Sequence, residues 1–217
     1  MQKKPFGRLN GIDNSINQFD TILRTLCAKH TQSRRENPAD KLPEAKLTPA
    51  QKKHSAGLIR VNHAGEVCAQ ALYQGQALTA KLPNVKAQMA QAAEEEEDHL
   101  AWCQKRLNEL HAKPSMLNPL WYGASLAIGA GAGIISDKLS LGFVAATEDQ
   151  VCQHLNKHLE SLPADDVKSR AIVQQMHTDE AHHGAMAIKA GGYIFPAPIK
   201  QGMSQIARIM TWLSYRF

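Results

Sequence analysis

The chain has 217 residues, of which 43% are hydrophobic and 21% charged, which is typical of a globular protein with one sizeable core. Its formal net charge of +5 suits contact with anionic lipid head groups or nucleic acid and establishes neither. The four scattered cysteines contain no Cys-x-x-Cys pair, which excludes a zinc-ribbon pattern and favours reduced thiols in a cytosolic setting.

The N-terminal part of the chain, residues 1–48, is expected to be an extension of the main domain, 49–217. Its first stretch lacks the apolar run of a secretory signal. Residues 14–30 carry apolar side chains at helical spacing and predict a short amphipathic helix. Residues 31–48 are polar and contain prolines, which indicates a linker.

Four long helices are predicted in the main domain, because apolar residues recur there three and four positions apart. The first starts at Pro49, after a threonine suited to capping, and runs to about Lys81. The second covers about 85–112. Two more helices follow, and the breakers at 162–165 separate them.

Two further segments are apolar enough to suggest membrane contact. Residues 116–136 are uncharged and long enough to span a bilayer, but they contain a proline and four glycines and lead directly into the third long helix. We therefore expect this segment to lie in or against a membrane face, with a buried connection as the alternative. Residues 206–217 predict an amphipathic helix, either interfacial or packed on the bundle.

A pattern of metal-ligand type occurs twice in the main domain. A lone glutamate is followed about thirty residues later by a Glu-x-x-His motif, whose two ends share one helix face. In each half a helix-breaking sequence lies midway, near 81 and 164, as an antiparallel hairpin requires. Four carboxylates and two imidazoles are the set with which a four-helix bundle binds two metal ions. The predicted ligands are Glu66, Glu96, His99, Glu148, Glu180 and His183.

Neighbouring ionisable residues compete with this assignment. Glu94, Glu97 and Asp98 belong to an acidic run, and such a run is usually solvated. In the last long helix Asp179 and His182 have the same spacing as Glu180 and His183. The helix face that contains Asp179 and His182 is less apolar than the face that contains the predicted ligands. Because a metal-bound histidine usually donates its second N–H to a carboxylate or carbonyl, both remain candidates for partners of a ligand.

The predicted ligand set indicates a class of chemistry. Mixed oxygen and nitrogen donors suit iron or manganese, and two such ions can each deliver an electron to O₂. Glu96 and Glu180 are expected to bridge the ions, while Glu66 and Glu148 are terminal and one histidine binds each ion. The ligand set alone does not distinguish between four functions, namely iron storage, peroxide reduction, radical generation and hydroxylation. The apolar segments favour a lipophilic substrate.

Four stretches of the chain are recognisable together: Arg60–Glu66, Glu96–His99, Ala146–Glu148 and Asp179–His183. They resemble the demethoxyubiquinol hydroxylases of ubiquinone biosynthesis, which are ferritin-like di-iron carboxylate monooxygenases. The resemblance covers about residues 50–217, and its most specific element is the string Asn-His-Ala-Gly-Glu that ends at the first ligand.

The resemblance implies an all-α, ferritin-like four-helix bundle with additional amphipathic or apolar helices for membrane contact. It implies two iron ions (Fe²⁺/Fe³⁺) as cofactors, O₂ as co-substrate and NADH as a candidate reductant. The substrate would be a polyprenylated demethoxy-benzoquinol, whose ring is hydroxylated. Peripheral attachment at the cytoplasmic face of the inner membrane is expected, with other ubiquinone-biosynthesis proteins as candidate partners and no nucleic acid. The sequence leaves tail length and a homo-oligomeric state open.

Two histidines outside the ligand set are candidates for supporting roles. His154 matches a histidine seen in the family, but the aromatic residue that often follows it is replaced by Leu155, which puts a tyrosine-mediated electron relay in question. His63, three residues before Glu66, is either a neighbour of the site or a surface residue.

Three other functions compete with the quinol hydroxylase. A di-iron hydroxylase of modified tRNA would require lysines and arginines clustered on one face, whereas here they are dispersed. An iron-storage or peroxide-scavenging protein would be a cage-like oligomer, for which the apolar segments are unsuited. A structural bundle without metal does not account for the repeated ligand pattern.

Overall fold

The computed structural model describes residues 25–26 and 33–217. Over 33–217 it contains six α-helices and no strand, so the predicted all-α class is confirmed. Of the amphipathic helix predicted at 14–30, only Thr25 and Leu26 are described, and both are helical. The helices are α1 (Pro49–Thr79), α2 (Pro83–Glu109), α3 (Asn118–Ile135), α4 (Asp137–Ser161), α5 (Val167–Lys189) and α6 (Ala197–Arg216).

Helix ends follow local sequence signals. α1 begins with Thr48 and Gln51 in a reciprocal capping box, in which each side chain bonds the other residue's backbone N–H. The Asp166 side chain accepts a hydrogen bond from Ser169 N and caps α5. Both predicted breaks are present, since α1 ends at Thr79 before α2 begins and α4 ends at Ser161 before α5 begins.

The bundle consists of two hairpins, α1 with α2 and α4 with α5, which pack together mainly through α2 and α5. These are the four helices predicted to carry the ligands. One core cluster fills the bundle interior on the side of the predicted ligands away from the break at 81, and it reaches the break at 164 through Leu162. Its fully buried members include Ile59, Trp102, Leu107, Leu155, Ile172 and Met176.

α3 is the long crossover between the two hairpins, a connection typical of ferritin-like folds. It packs along α1 so closely that glycines are required at the contact. A Cβ added to Gly75 would lie 2.3 Å from Leu126 O, and one added to Gly129 would lie 2.2 Å from Leu72 O. One face of this apolar segment is thus covered by protein. Within residues 25–26 and 33–217, no helix is both long and apolar enough to cross a bilayer.

α6 packs on α1 and leaves an apolar face uncovered. Tyr215 contacts the backbone at Gly57, where an added Cβ would lie 2.5 Å from its ring, and its hydroxyl is 2.8 Å from His54 Nδ1. Ile206 and Trp212 of the same helix are exposed. Packing of this segment on the bundle is therefore confirmed, while its contact with a membrane stays a prediction.

Residues 33–48, here called the strap, contain turns but no helix and lie across α2 and α5. Glu44 near its C-terminal end pairs with Arg106 of α2 at 2.8 Å and with Lys168 of α5 at 3.2 Å. Arg106 is buried and also bonds Asp166 at 2.8 Å. The strap therefore joins the two helices that carry the Glu-x-x-His motifs.

Candidate metal centre

The six predicted ligands meet in the middle of the bundle. α1 and α4 each contribute one glutamate, while α2 and α5 each contribute a glutamate and a histidine from successive turns. Isolated charges are costly to bury, so this arrangement requires compensation. The exposed fractions are 3% for Glu66, 0% for Glu96 and His99, and 2% for Glu148, Glu180 and His183.

Two of the glutamates lie between the two histidines. Glu96 places Oε2 at 3.1 Å from His99 Nδ1 and Oε1 at 3.2 Å from His183 Nδ1. Glu180 places Oε1 at 3.1 Å from His99 Nδ1 and Oε2 at 3.3 Å from His183 Nδ1. Each of these carboxylates therefore turns one oxygen towards each imidazole, which is the orientation that a carboxylate bridging two ions needs.

The surroundings of His99 Nδ1 fit a cation better than a proton. Besides Glu96 and Glu180, Glu66 places an oxygen at 3.6 Å from this nitrogen. A nitrogen carries at most one proton and cannot donate well to three carboxylates at once. Ligand atoms of these four residues all lie within 4.8 Å of one another, so the group could hold a metal ion. Glu96 Oε1 also has no partner with hydrogen-bond geometry, although His183 is near.

The second nitrogen of each histidine faces a carboxylate as well. His99 Nε2 lies 2.9 Å from Asp179 Oδ2, and His183 Nε2 lies 2.6 Å from Glu95 Oε2. Each Nε2 can therefore donate its proton to a carboxylate, which leaves the Nδ1 lone pair directed at the centre. This is the usual arrangement around metal-binding histidines.

Ionisation of the cluster also favours the binding of positive charge. Burial raises the pKa of Glu66 well above its usual range, and the charge of Glu96 adds to the rise. Burial and the charge of Glu180 do the same to the pKa of Glu148. Burial opposes the charge on His183, but hydrogen bonds with Glu180 and Glu96 outweigh it and raise its pKa to about 12. Two divalent cations would balance the four carboxylates without these protons.

Tyr73 is a site residue that the sequence did not reveal. It is fully buried on α1, and its hydroxyl donates a hydrogen bond to Glu148 Oε1. Burial and the neighbouring charge of Glu148 raise the pKa of Tyr73, which keeps the phenol protonated as a donor. Tyr73 lies seven residues, or two helical turns, beyond Glu66 and so on the same face of α1, and this spacing was the available signal.

Of the two alternative residues of α5, Asp179 contacts a predicted ligand and His182 does not. His182 is exposed on α5, which does not support its assignment as a partner. The expectation that Asp98 is solvated is wrong, because it is 3% exposed and accepts hydrogen bonds from the Arg34 backbone and the Arg35 side chain. The acidic run is partly covered by the strap.

The other two candidate histidines lie outside the ligand cluster. His63 is buried, 3.3 Å from Asn118 Nδ2, and burial lowers its pKa to about 4. It is therefore neither a surface residue nor a contact of the ligands in this structure. The ring of His154 lies 4.0 Å from that of His158, and burial lowers its pKa to about 4. Leu155 beside it is a core residue.

A cavity of about 650 Å³ reaches the centre from between α4 and α5. Glu148 and Glu180 are among its walls, so the ligands form part of its inner surface. Small residues keep it open, since a Cβ added to Gly184 would already lie 3.3 Å from Glu148 Cβ. Its remaining wall residues include Ala145, Ala181, Ala185, Ile188, Tyr193, Ile194, Phe195 and Lys200.

Comparison with known proteins places this geometry in a family. The model of the family described as ubiquinone biosynthesis protein COQ7 matches residues 53–214, which include all six predicted ligands. The chain belongs to the COQ7 family. The match starts within α1 and ends within α6, so the family covers the bundle, the crossover and α6.

Relatives of the family extend the similarity to nearly the whole chain. A protein of Pseudomonas fluorescens named 3-demethoxyubiquinol 3-hydroxylase is 60% identical over 205 residues, covering 94% of this chain and 95% of its own. A Marinomonas protein of the same name is 59% identical, covering 94% and 98%. One from Pseudomonas putida is 58% identical, covering 94% and 95%. The similarity therefore includes much of the N-terminal extension.

Proposed function

We infer that this chain is a 3-demethoxyubiquinol 3-hydroxylase, a monooxygenase that hydroxylates the ring of a polyprenylated demethoxy-benzoquinol in ubiquinone biosynthesis. Its relatives carry that name at close to 60% identity over 94% of the chain. The structural observation that carries the inference is the position of Glu96 and Glu180, each of which turns one oxygen to His99 and the other to His183.

We propose that the centre binds two iron ions. One would be held by Glu66 and His99, the other by Glu148 and His183, with Glu96 and Glu180 shared between them. Mixed oxygen and nitrogen donors without sulfur suit iron. Bound iron would supply the electrons that activate O₂. The chain itself holds both imidazoles in the Nε2–H form through Asp179 and Glu95, and it excludes bulk water from the ligands.

We further propose that the quinol ring enters through the cavity between α4 and α5. The cavity ends at Glu148 and Glu180, so a ring in it lies beside the centre. Its walls are mostly alanine, glycine and apolar residues, which suit an aromatic ring and an isoprenoid chain. Tyr193 and Ile194 lie at its outer part and are exposed, so an apolar tail can continue over them to the surface.

Peripheral membrane association is part of the proposal. The exposed apolar residues of α6 and those of α3 would contact the lipid, and Arg208 and Arg216 would meet anionic head groups. We place the protein at the cytoplasmic face of the inner membrane, where a polyprenylated substrate resides. NADH is the proposed reductant. Position 155 is a buried leucine, so the electron path to the centre cannot use a tyrosine there.

The test combines metal analysis with product detection. Protein loaded with Fe²⁺ under anaerobic conditions is given a short-tailed demethoxyquinone, NADH and O₂. Two irons per chain and a product heavier by one oxygen atom are expected. Glu96→Ala should abolish both the second iron and the product, whereas Glu94→Ala, an exposed residue of the same helix paired with Arg34, should retain both.

Other outcomes would favour the competing functions. If the protein binds two irons and consumes O₂ but forms no hydroxylated quinone, the metal centre would be supported. The result would then favour peroxide chemistry or another substrate. Iron accumulating well beyond two per chain would indicate storage. Absence of bound iron would contradict the metal centre itself.

A further inference from the structure

One arginine of the strap contacts three residues around His99. Arg35 donates from Nε to Asp98 Oδ2 at 2.8 Å and from a terminal nitrogen to Asp179 Oδ2 at 2.9 Å. Its guanidinium carbon lies 4.9 Å from the ring centroid of Trp102, which is 2% exposed. Arg35 therefore links α2 to α5 directly over the outer side of His99.

Asp179 accepts two hydrogen bonds on one oxygen. Arg35 and the His99 Nε2–H both reach Asp179 Oδ2, each at 2.9 Å, while Gln175 reaches Oδ1 at 2.9 Å. The other terminal nitrogen of Arg35 lies 3.3 Å from His99 Nε2. Because that nitrogen already carries the proton given to Asp179, this is a contact between two donors and not a hydrogen bond. The guanidinium thus fixes the carboxylate, and the carboxylate orients the imidazole.

The corresponding position beside His183 is built differently. Glu95 accepts from His183 Nε2, and its side chain is 33% exposed. Its other oxygen accepts from Gln91 at 3.1 Å. Within residues 33–217, Glu95 pairs with His183 and with no arginine or lysine. The carboxylate that orients His183 is therefore held by an uncharged partner at the surface.

Solvent access also differs between the two halves. The outer side of His99 is covered by Arg35 and Trp102, and His99 is fully buried. The cavity of about 650 Å³ instead reaches Glu148 and Gly184, which adjoins His183. The half-site of Glu66 and His99 is thus covered by Arg35 and Trp102, whereas the half-site of Glu148 and His183, although buried, borders the cavity.

We propose that Arg35 is a positioning residue of the metal centre, which holds Asp179 against His99 so that the ion of the His99 half-site is released more slowly than that of the His183 half-site. This inference rests on the proposed dinuclear centre. It assigns a role to the strap, which lies outside the part of the chain that matches the family model. The two ions would then leave in a fixed order, the His183 ion first.

The test is the release of iron from loaded protein to an excess of a Fe²⁺ chelator, followed anaerobically by absorbance. The unaltered chain should give two phases of equal amplitude. Arg35→Met keeps an apolar stem over Trp102 but loses both hydrogen bonds, and it should accelerate the slow phase about tenfold or more, as is usual when the partner of a metal ligand is lost. The fast phase should not change.

Matched variants assign the phases. Arg34→Met alters the neighbouring arginine, whose 61% exposed side chain pairs with Glu94 and Glu97, and it should leave both phases unchanged. Glu95→Ala should accelerate only the fast phase. Asp179→Asn should accelerate the slow phase, and adding Arg35→Met to it should have no further effect, because Arg35 acts through Asp179.

Several results would overturn the proposal. A single release phase from a chain that holds two irons, an unchanged slow phase in Arg35→Met, or equal acceleration of both phases would each show that Arg35 does not act on one half-site. Circular dichroism and thermal unfolding of the metal-free variants, compared with Arg34→Met, identify a general loss of fold. If the unaltered chain binds fewer than two irons, the proposed dinuclear centre fails instead.

Discussion

The hydroxyl of Tyr73 donates a hydrogen bond to Glu148 across the bundle interior, joining α1 to α4 at the metal centre. Both residues are buried, so neither has water as an alternative partner. The phenol therefore determines which oxygen of Glu148 is available to a metal ion.

Tyr73→Phe is expected to lower turnover while the fold is retained. Removing the hydroxyl leaves Glu148 Oε1 buried without its donor, which costs about 1–3 kcal/mol. The free energy of unfolding of the metal-free protein should fall by about that amount. The value of kcat should also fall, with two irons still bound. Tyr122→Phe is the matched control, since that phenol bonds Gln74 away from the centre. Equal kcat in Tyr73→Phe and the unaltered chain would contradict a role for the phenol.

Metal binding should release protons and weaken as the pH falls. Burial and like charge raise the pKa of Glu66 and Glu148, and carboxylate partners raise the pKa of His183 to about 12, so the metal-free centre retains protons at neutral pH. Cations bind the deprotonated ligands and must displace these protons. Higher pH removes them in advance, so affinity should rise with pH.

Calorimetric titration with Fe²⁺ measures this proton release. Repeating the titration in buffers of different ionisation enthalpy should give different apparent heats, with a slope equal to the protons released. Heats that do not depend on the buffer would contradict the proton-loaded centre.

The ligand positions could be predicted because the information about them is local. A Glu-x-x-His spacing on a helix and a break midway between two carboxylates are both short-range features, and they predicted the helix pairs that the structure shows. Tyr73 could not be recognised in this way. Its partner Glu148 is 75 residues away, and a buried tyrosine on an apolar stripe is usually a packing residue.

Arg35 and Asp98 are further residues whose contacts could not be predicted from the local sequence. Arg35 meets Asp179 across 144 positions, from a segment whose polar, proline-containing sequence indicated only a linker. Asp98 belongs to an acidic run that would be solvated if the strap did not cover it. For residues 116–136 the sequence revealed low charge but not the glycine contacts that place one face of α3 on α1. Long-range contacts determine all of these features.

Filling the cavity should separate substrate binding from metal binding. Ala185 lines the cavity on α5 and is exposed, so a larger side chain there projects into the space without entering the core. Ala185→Phe is expected to lower kcat/KM for the demethoxyquinol about tenfold or more, with KM raised and iron content unchanged. Ala185→Ser is the control of similar size. Unaltered kinetics in Ala185→Phe would place the substrate elsewhere.

The exposed face of α6 is expected to contribute to membrane binding. Ile206, Ile209 and Trp212 are 67%, 61% and 55% exposed, and burial of such side chains contributes about 1.5–3 kcal/mol each. Replacing all three by serine should reduce partitioning onto anionic vesicles at least about tenfold. Substitution is preferable to deleting residues 206–217, because deletion also removes Tyr215 from its contact with Gly57.

Two controls separate lipid contact from loss of fold. Leu78→Ser changes a residue that is 53% exposed at the end of α1, and it should leave partitioning unchanged. The triple variant should unfold at the same temperature as the unaltered chain, because the substituted side chains are exposed. If its partitioning also matched the unaltered chain, α6 would not be a lipid-binding surface, and its apolar face would be free for a protein partner.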